Sequence, residues 1–294
     1  QWIGLIVGTL LVLVVLAVAI LYGIGTARVN KIYNIPVTVP PIPSDAASIQ
    51  RGEHLATTFA MCKNCHADNL GGKVEFAIPG LLTIPTPNLT RGANGVGSFY
   101  TDEDWVRAIR HGVGRDGRGL LIMTAKAFTH LSDADVGALI AYLKQVPPVD
   151  NPLPARRIDA LGRLIMAVGM FPPAAVDEID HTLAAPAAPA AGVTAAYGEY
   201  IAHVCTECHG AQLNGKPFGP PGEEVPSPNL TPGGELATWS ETDFIQTLRS
   251  GVTPKGERMS IDMPWVYFGQ MSDDELKALW LYLHSLPALP QGGL

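Results

Sequence analysis

The chain contains four cysteines, and they fall in two identical frames: Cys62-Lys63-Asn64-Cys65-His66 and Cys205-Thr206-Glu207-Cys208-His209. Two thiols three positions apart lie on one side of a helical turn, so both can bond one edge of a flat ring. The histidine that follows then directs its imidazole at the ring's centre. This is the attachment pattern of haem c. A zinc ribbon also uses Cys-x-x-Cys pairs, but usually within a few tens of residues of each other. Cys65 and Cys205 are 140 positions apart. A thioredoxin-like dithiol needs a βαβ setting, which the sequence does not show. The pattern therefore predicts two covalently attached haem c groups, one on Cys62 and Cys65 and one on Cys205 and Cys208. His66 and His209 are the expected iron ligands.

The second constraint is the run Trp2 to Ile24, which has no charged residue. A bilayer core takes about 20 apolar residues as helix, so this run is long enough to span. A signal peptide has an apolar core of about 7–15 residues and a small-residue cleavage site. This run is longer, and Ala27-Arg28-Val29 is a poor cleavage context. The reading is a retained single-pass anchor over residues 1–27, with Trp2 and Tyr22 as interfacial aromatics. Arg28 and Lys31 after the span favour that side as cytoplasmic. Haem attachment argues the other way, because it belongs to the oxidising side. The expectation is an inner-membrane protein with its haem domains on the periplasmic face, and cytoplasmic charges ahead of Gln1. The net charge of −7 argues against a nucleic-acid partner and suits a docking partner with a basic face.

Residues 28–49 hold a proline-rich connector (Ile35 to Pro43), expected to be extended and to hold the first haem domain off the membrane. The chain then repeats itself with offsets near 140: Cys62 with Cys205, Asn88 with Asn229, Arg110 with Arg249, Met123 with Met263. Two copies imply tandem domains over 50–149 and 197–294. Each reads as helical. Thr101 with Asp104, Ser132 with Asp135, Ser240 with Asp243 and Ser272 with Glu275 have the spacing of capping boxes. The last helix of each copy has apolar residues at helical spacing: Val136, Leu139, Ile140 and Leu143, then Leu276, Leu279, Trp280 and Leu283. Prolines 147, 148 and 287 stop these helices. Gly52 and Gly198 either let the first helix cross the last closely or are indifferent helix-start glycines. Between the copies, residues 150–196 contain an apolar stretch, Arg157 to Phe171, and an Ala/Pro linker, Ala184 to Ala191. The apolar stretch either packs on a domain, the default, or lies on the membrane surface.

Histidine alone leaves the iron one ligand short. Methionine thioether is the usual partner in electron-carrying c haems and raises the potential. The repeat selects Met123 and Met263, which occupy equivalent places before the last helix. Met61 adjoins Cys62 on the wrong side, Met271 matches Leu131 and reads as core, and Met259 lacks a counterpart. Pro264 follows one candidate and Thr124 the other, so the loop at Met123 is less rigidly specified. His111, His130, His203, His284, His54 and His181 are not matched between copies and read as solvent-facing or structural. Asn88 and Asn229, in the shared Pro-Asn-Leu-Thr, either orient propionates or the methionine loop, or form Asx turns. Arg110 and Arg249 either pair with propionates or cap their helices.

With these motifs in place, the chain resembles a membrane-anchored dihaem cytochrome c of two class I domains. The residues that carry the resemblance are CKNCH with LLIMTAKAF, CTECH with IDMPWVYF, and the shared PNLT segments. It is similar to cytochrome subunits of bacterial membrane alcohol and sugar dehydrogenases. The resemblance implies an all-α fold, a transmembrane helix followed by two small helical domains wrapped around haem. It also implies a one-electron relay, not an enzyme. The expected partner is a membrane redox complex: a quinol-oxidising complex, a terminal oxidase, a reaction centre or a dehydrogenase of which this is the electron-transfer subunit. A dihaem peroxidase is the enzymatic alternative and requires one haem with an open distal site.

Overall fold

The computed structural model describes residues 2–171, 174–219 and 224–292. Gln1 of the anchor, residues 172–173 of the inter-repeat segment, and residues 220–223 and 293–294 of the second repeat lie outside them. Helix α1 (Trp2–Val29) is uninterrupted and apolar, and its side chains from Ile3 to Ile20 are exposed. Among the described residues it is the one helix long and apolar enough to cross a membrane.

The connector after α1 is extended, as its prolines require, but it is no spacer. Tyr33 donates its backbone N–H to the Gly117 carbonyl at 2.8 Å, and Ile32 bridges Arg118. Val37 and Ile42 pack on the core, and the Pro41 carbonyl lies where a Cβ on Gly137 would go. The segment expected to hold the first repeat off the membrane is laid along that repeat instead. Its apolar Val and Ile side chains find a surface there that they would not find in solvent.

The first repeat comprises α2 (Ala46–Thr57), α3 (Cys62–His66), strands β1 (Lys73–Ile78) and β2 (Leu82–Thr86), α4 (Asp102–His111) and α5 (Asp133–Leu143). Asp45 caps α2 through the Ser48 N–H, and Thr101 with Asp104 forms a reciprocal box on α4. Ser132 accepts from the Asp135 N–H to start α5. The expected stripe Val136, Leu139, Ile140 and Leu143 is buried. Between the repeats lie β3 (Arg157–Ile158) and α6 (Ala160–Ala167). The second repeat comprises α7 (Ala195–Ala202), α8 (Thr206–His209), the two-residue strands β4 (Pro217–Phe218) and β5 (Val225–Pro226), α9 (Glu241–Ser250), α10 (Trp265–Phe268) and α11 (Asp273–Ser285). Reciprocal capping boxes start α9 and α11.

The fold is mostly helical rather than wholly so. β1 and β2 form an antiparallel hairpin, and β3 joins it through Leu82 opposite Ile158. β4 and β5 pair in the second repeat. In each repeat the first and last helices cross in close contact. A Cβ on Gly52 would overlap the Ala138 carbonyl, and one on Gly198 the Ala278 carbonyl, so both positions need the absent side chain.

One hydrophobic core runs through both repeats. At the seam α2 and α7 meet the starts of α5 and α11. Arg51 grips Asp135 through Nε at 2.9 Å and Nη2 at 3.1 Å, and reaches Glu275 at 3.3 Å. His54 meets Glu275 at 2.7 Å, and the Tyr200 hydroxyl donates to Asp135 at 2.6 Å. Beside this latch the His130 and His203 rings stack at 3.7 Å.

Candidate cofactor sites

Each Cys-x-x-Cys-His sits on one short turn of helix. The chain leaves that turn with a positive φ, at Ala67 (64°) in the first repeat and Gly210 (80°) in the second. Leu70 and Leu213 repeat the left-handed conformation three residues on, at 57° and 58°. These reversals bring the Pro-Asn-Leu-Thr segment beneath the histidine. It is fixed there by Leu89 N–H to Leu70 O at 2.8 Å and by Leu230 N–H to Leu213 O at 2.7 Å.

The histidines are oriented identically. His66 Nδ1 lies 2.8 Å from the Pro87 carbonyl, and His209 Nδ1 lies 2.8 Å from the Pro228 carbonyl. A carbonyl only accepts, so Nδ1 carries the proton and Nε2 keeps the free lone pair that a metal needs. Burial holds both imidazoles below the usual histidine range, which keeps them neutral. The Thr86 hydroxyl donates to the Cys65 carbonyl at 2.6 Å, and Ser227 does the same to Cys208 at 2.7 Å. These two hydroxyls and the two proline carbonyls escaped the reading of the sequence. Their signal was present in the matched Thr-Pro-Asn-Leu-Thr and Ser-Pro-Asn-Leu-Thr.

Asn88 and Asn229 resolve as turns with a second duty. Asn88 Oδ1 accepts from the Thr90 N–H at 2.9 Å, while Nδ2 donates to the Val149 carbonyl at 2.6 Å. Asn229 does likewise with Thr231 and Leu289. The asparagine thus straps the segment after the last helix over the loop. Arg110 pairs with Asp133 at 2.8 Å and donates to the Leu131 carbonyl at 2.9 Å. Arg249 pairs with Asp273 at 2.8 Å and donates to the Gly269 carbonyl. Arg110 ties α4 to the start of α5, and Arg249 ties α9 to the end of α10 and the start of α11; neither caps its own helix.

In the second repeat Cys205, Cys208, His209 and Met263 line one largely apolar cavity of about 340 Å³ with Leu236, Trp239, Phe244 and Leu279. Met259 also lines it, and has a counterpart after all. The Met259 N–H donates to the Gly251 carbonyl at 2.8 Å just as Leu120 donates to Gly112 at 2.7 Å. It therefore stands where the first repeat has leucine, as wall. Met123 is half-buried against the core at the position matching Met263. Thr124 (φ −79°, ψ 48°) and Pro264 (φ −77°, ψ 51°) share one backbone conformation, so packing gives the Met123 loop the shape that proline gives the other. Met271 and Leu131 are both core.

The unmatched histidines make contacts elsewhere. His111 Nδ1 lies 2.9 Å from His181 Nδ1, and His284 meets the Leu236 carbonyl. Burial pushes the Cys62 and Cys205 thiols up to about 12, so neither is an activated thiolate, and the four cysteines form no disulfide. Trp105 Nε1, buried without a hydrogen-bond partner in the first repeat, suits a guest with an acceptor group.

An apolar slot with two thiols at its edge and an oriented imidazole on its wall holds a porphyrin covalently, and a chain that repeats the thiols and the oriented imidazole is a dihaem protein of the c type. The family model described as cytochrome c matches residues 49–147 and again 195–287. The chain is similar to the "Alcohol dehydrogenase (quinone), cytochrome c subunit" of Gluconobacter oxydans (strain 621H), at 29% identity over 85% of this chain and 57% of that protein. It is also similar to the "Fructose dehydrogenase cytochrome subunit" of Gluconobacter japonicus, at 29% over 88% and 56%, and to the "Gluconate 2-dehydrogenase cytochrome c subunit" of Pantoea cypripedii, at 29% over 82% and 60%. The chain spans somewhat more than half the length of these relatives. It belongs to the cytochrome c family, and two covalent haem c groups are its cofactors.

Proposed function

We propose that the chain is a membrane-tethered relay of single electrons. In this reading residues 50–149 and 197–294 are tandem class I cytochrome c domains. Cys62, Cys65, Cys205 and Cys208 would form the thioether bonds, His66 with Met123 and His209 with Met263 would hold the two irons, and α1 anchors the chain in the inner membrane with both domains on the periplasmic side. Haem iron supplies the one-electron ferric/ferrous couple. The chain's own residues orient the imidazole through Pro87 and Pro228, exclude water with the apolar walls, and offer a thioether that favours the reduced iron. A histidine and a methionine committed to each iron would leave substrate no open site there, so the role is carriage rather than peroxidation.

The observation that carries this reading is the duplication of the attachment motif and of the hydrogen bonds that orient it, across a shared core. Of the partners considered, a membrane dehydrogenase is favoured, because the relatives are named as cytochrome subunits of such enzymes. The experiment is purification from native membranes, with mass spectrometry of the chain and identification of what accompanies it. The expected result is two added haem masses, six-coordinate low-spin spectra unreactive with carbon monoxide, and a co-purifying dehydrogenase. A chain with no added porphyrin would overturn the reading.

A further inference from the structure

The last turns of α1 pack on α6 and, through Val29, on Leu82 and Ile84 of the first repeat. A Cβ on Gly25 would overlap the Arg163 carbonyl of α6, and the Arg28 guanidinium donates to the Met166 carbonyl at 2.6 Å. A helix of this length runs about 42 Å, whereas the hydrocarbon core of a bilayer is about 30 Å, or about 20 residues. With Ile3 at one end of that core, the other end falls at Tyr22, and Gly23 to Val29 stand in the headgroup layer. Helix α6, which meets α1 from Tyr22 to Val29, stands at the same depth. So does the turn between β1 and β2, since the Leu81 carbonyl accepts from the Asp159 N–H at 2.9 Å and lies against Gly162.

At that depth the protein leaves an apolar face unfinished. Ile78 pairs with Leu82 and Phe76 with Ile84, so the four share one face of the hairpin. Leu82 and Ile84 are each 3% exposed, in a cluster with Val29 and Met166. Ile78 and Phe76, on the edge strand, are 47% and 45% exposed, and Leu161 on α6 is 54% exposed. A second observation concerns charge. The Arg163 guanidinium lies over the Tyr22 ring at 5.8 Å, and its Nη1 is out of reach of solvent with no hydrogen-bond partner. Arg163 as a whole is only half-buried, and a guanidinium beside an interfacial tyrosine can turn its other nitrogens to a lipid phosphate.

We propose that the first repeat docks on the bilayer that α1 spans, through the β1–β2 turn and α6. Ile78 and Leu161 enter the interfacial layer, and Arg163 bonds a lipid phosphate. The proposal rests on the reading of α1 as a spanning anchor. It means that the first haem site is held at a fixed height and tilt rather than swinging on a tether.

The test uses the full holoprotein, in which thioether bonds consume the native cysteines. Single cysteines at Ile78, Leu161, Val12 of α1 and Leu281 of α11 are labelled with an environment-sensitive fluorophore. Each labelled protein is reconstituted into phosphatidylcholine–phosphatidylglycerol vesicles, with and without lipid carrying a nitroxide near the top of its acyl chain. The ratio of the two intensities cancels quenching by haem. The expected result is at least twofold quenching at Val12, Ile78 and Leu161 and none at Leu281. Quenching at Val12 with Ile78 and Leu161 behaving like Leu281 would overturn the docking while leaving the anchor intact. No quenching at Val12 would overturn the anchor and the docking together. Arg163→Gln should reduce quenching at Leu161 by about half, and unchanged quenching there would overturn the phosphate contact.

Discussion

Arg51 at the seam between the repeats lends itself to a quantitative test. Its guanidinium makes a two-pronged contact with Asp135 and a third with Glu275, and these carboxylates are 6% and 5% exposed. Replacing Arg51 with leucine removes their shared cation. Breaking a buried pair in this way costs about 3–5 kcal/mol. Asp135 keeps the Tyr200 hydroxyl, and Glu275 keeps His54 and the Ser272 N–H at 2.9 Å, so the loss should fall below that range, at about 2–3 kcal/mol. For a domain of this size that is a fall in Tm of about 4–12 °C. Calorimetry of the detergent-solubilised holoprotein reads it directly. Arg51→Lys, which keeps charge but not the fork, should fall between. Adding Asp135→Leu to Arg51→Leu should recover part of the loss, because the stranded carboxylate is gone. A Tm for Arg51→Leu within about 1 °C of the parent would refute the reasoning.

Three further outcomes rest on the same physics. Gly198→Ala forces a methyl into the Ala278 carbonyl and should cost about 2–4 kcal/mol, read by denaturant unfolding, while Gly23→Ala, in a helix with open space around it, should not approach that loss. Burial and the neighbouring His203 hold His130 down to about 3, so the unfolded chain takes its proton first and stability should fall as pH drops from about 6.5 toward 3. Glu275, pushed up by burial but held at about 2 by His54, Ser272 and Arg51, adds a loss that begins as pH falls past the ordinary value of 4.5 and continues down to about 2. His130→Gln, the residue found at the matching position 270, should make a plot of Tm against pH shallower between about 6.5 and 4.5, with His111 and His203 supplying the remaining slope, and leave the more acidic fall in place. Met263→Leu should let carbon monoxide bind one of two haems and lower that haem's potential, whereas Met259→Leu should do neither, as read by difference spectra and redox titration.

Much of this molecule was legible in the sequence because it depends on short-range patterns. The capping pairs at residues 101, 132, 240 and 272, the apolar stripes of α5 and α11, and the two attachment motifs each lie within a few turns of chain. The repeat sharpened them, since Met123 and Met263 stood out only by matching. Contacts between distant segments were not legible. Arg51 meets Glu275 across 224 positions, and nothing near either residue announces it. The β1–β2–β3 sheet was missed because β2 contains Pro85, and its third strand is two residues long and arrives more than 70 positions later. The connector misled because its composition describes a chain in solvent, while Val37 and Ile42 had a surface to lie on.

The seam between the repeats has one more consequence. Arg51 and Tyr197 hold the same position in their respective copies, as do His54 and Tyr200, and Asp135 and Glu275. The two modules therefore meet as the subunits of a twofold dimer do, with like surfaces facing and the side chains diverged so that bases and hydroxyls meet acids. Such a pairing carries its own alignment. The stretch Ala184 to Ala191 then keeps the partners at high local concentration without dictating their pose, and a protease nick there should leave the halves together with the spacing of their irons unchanged.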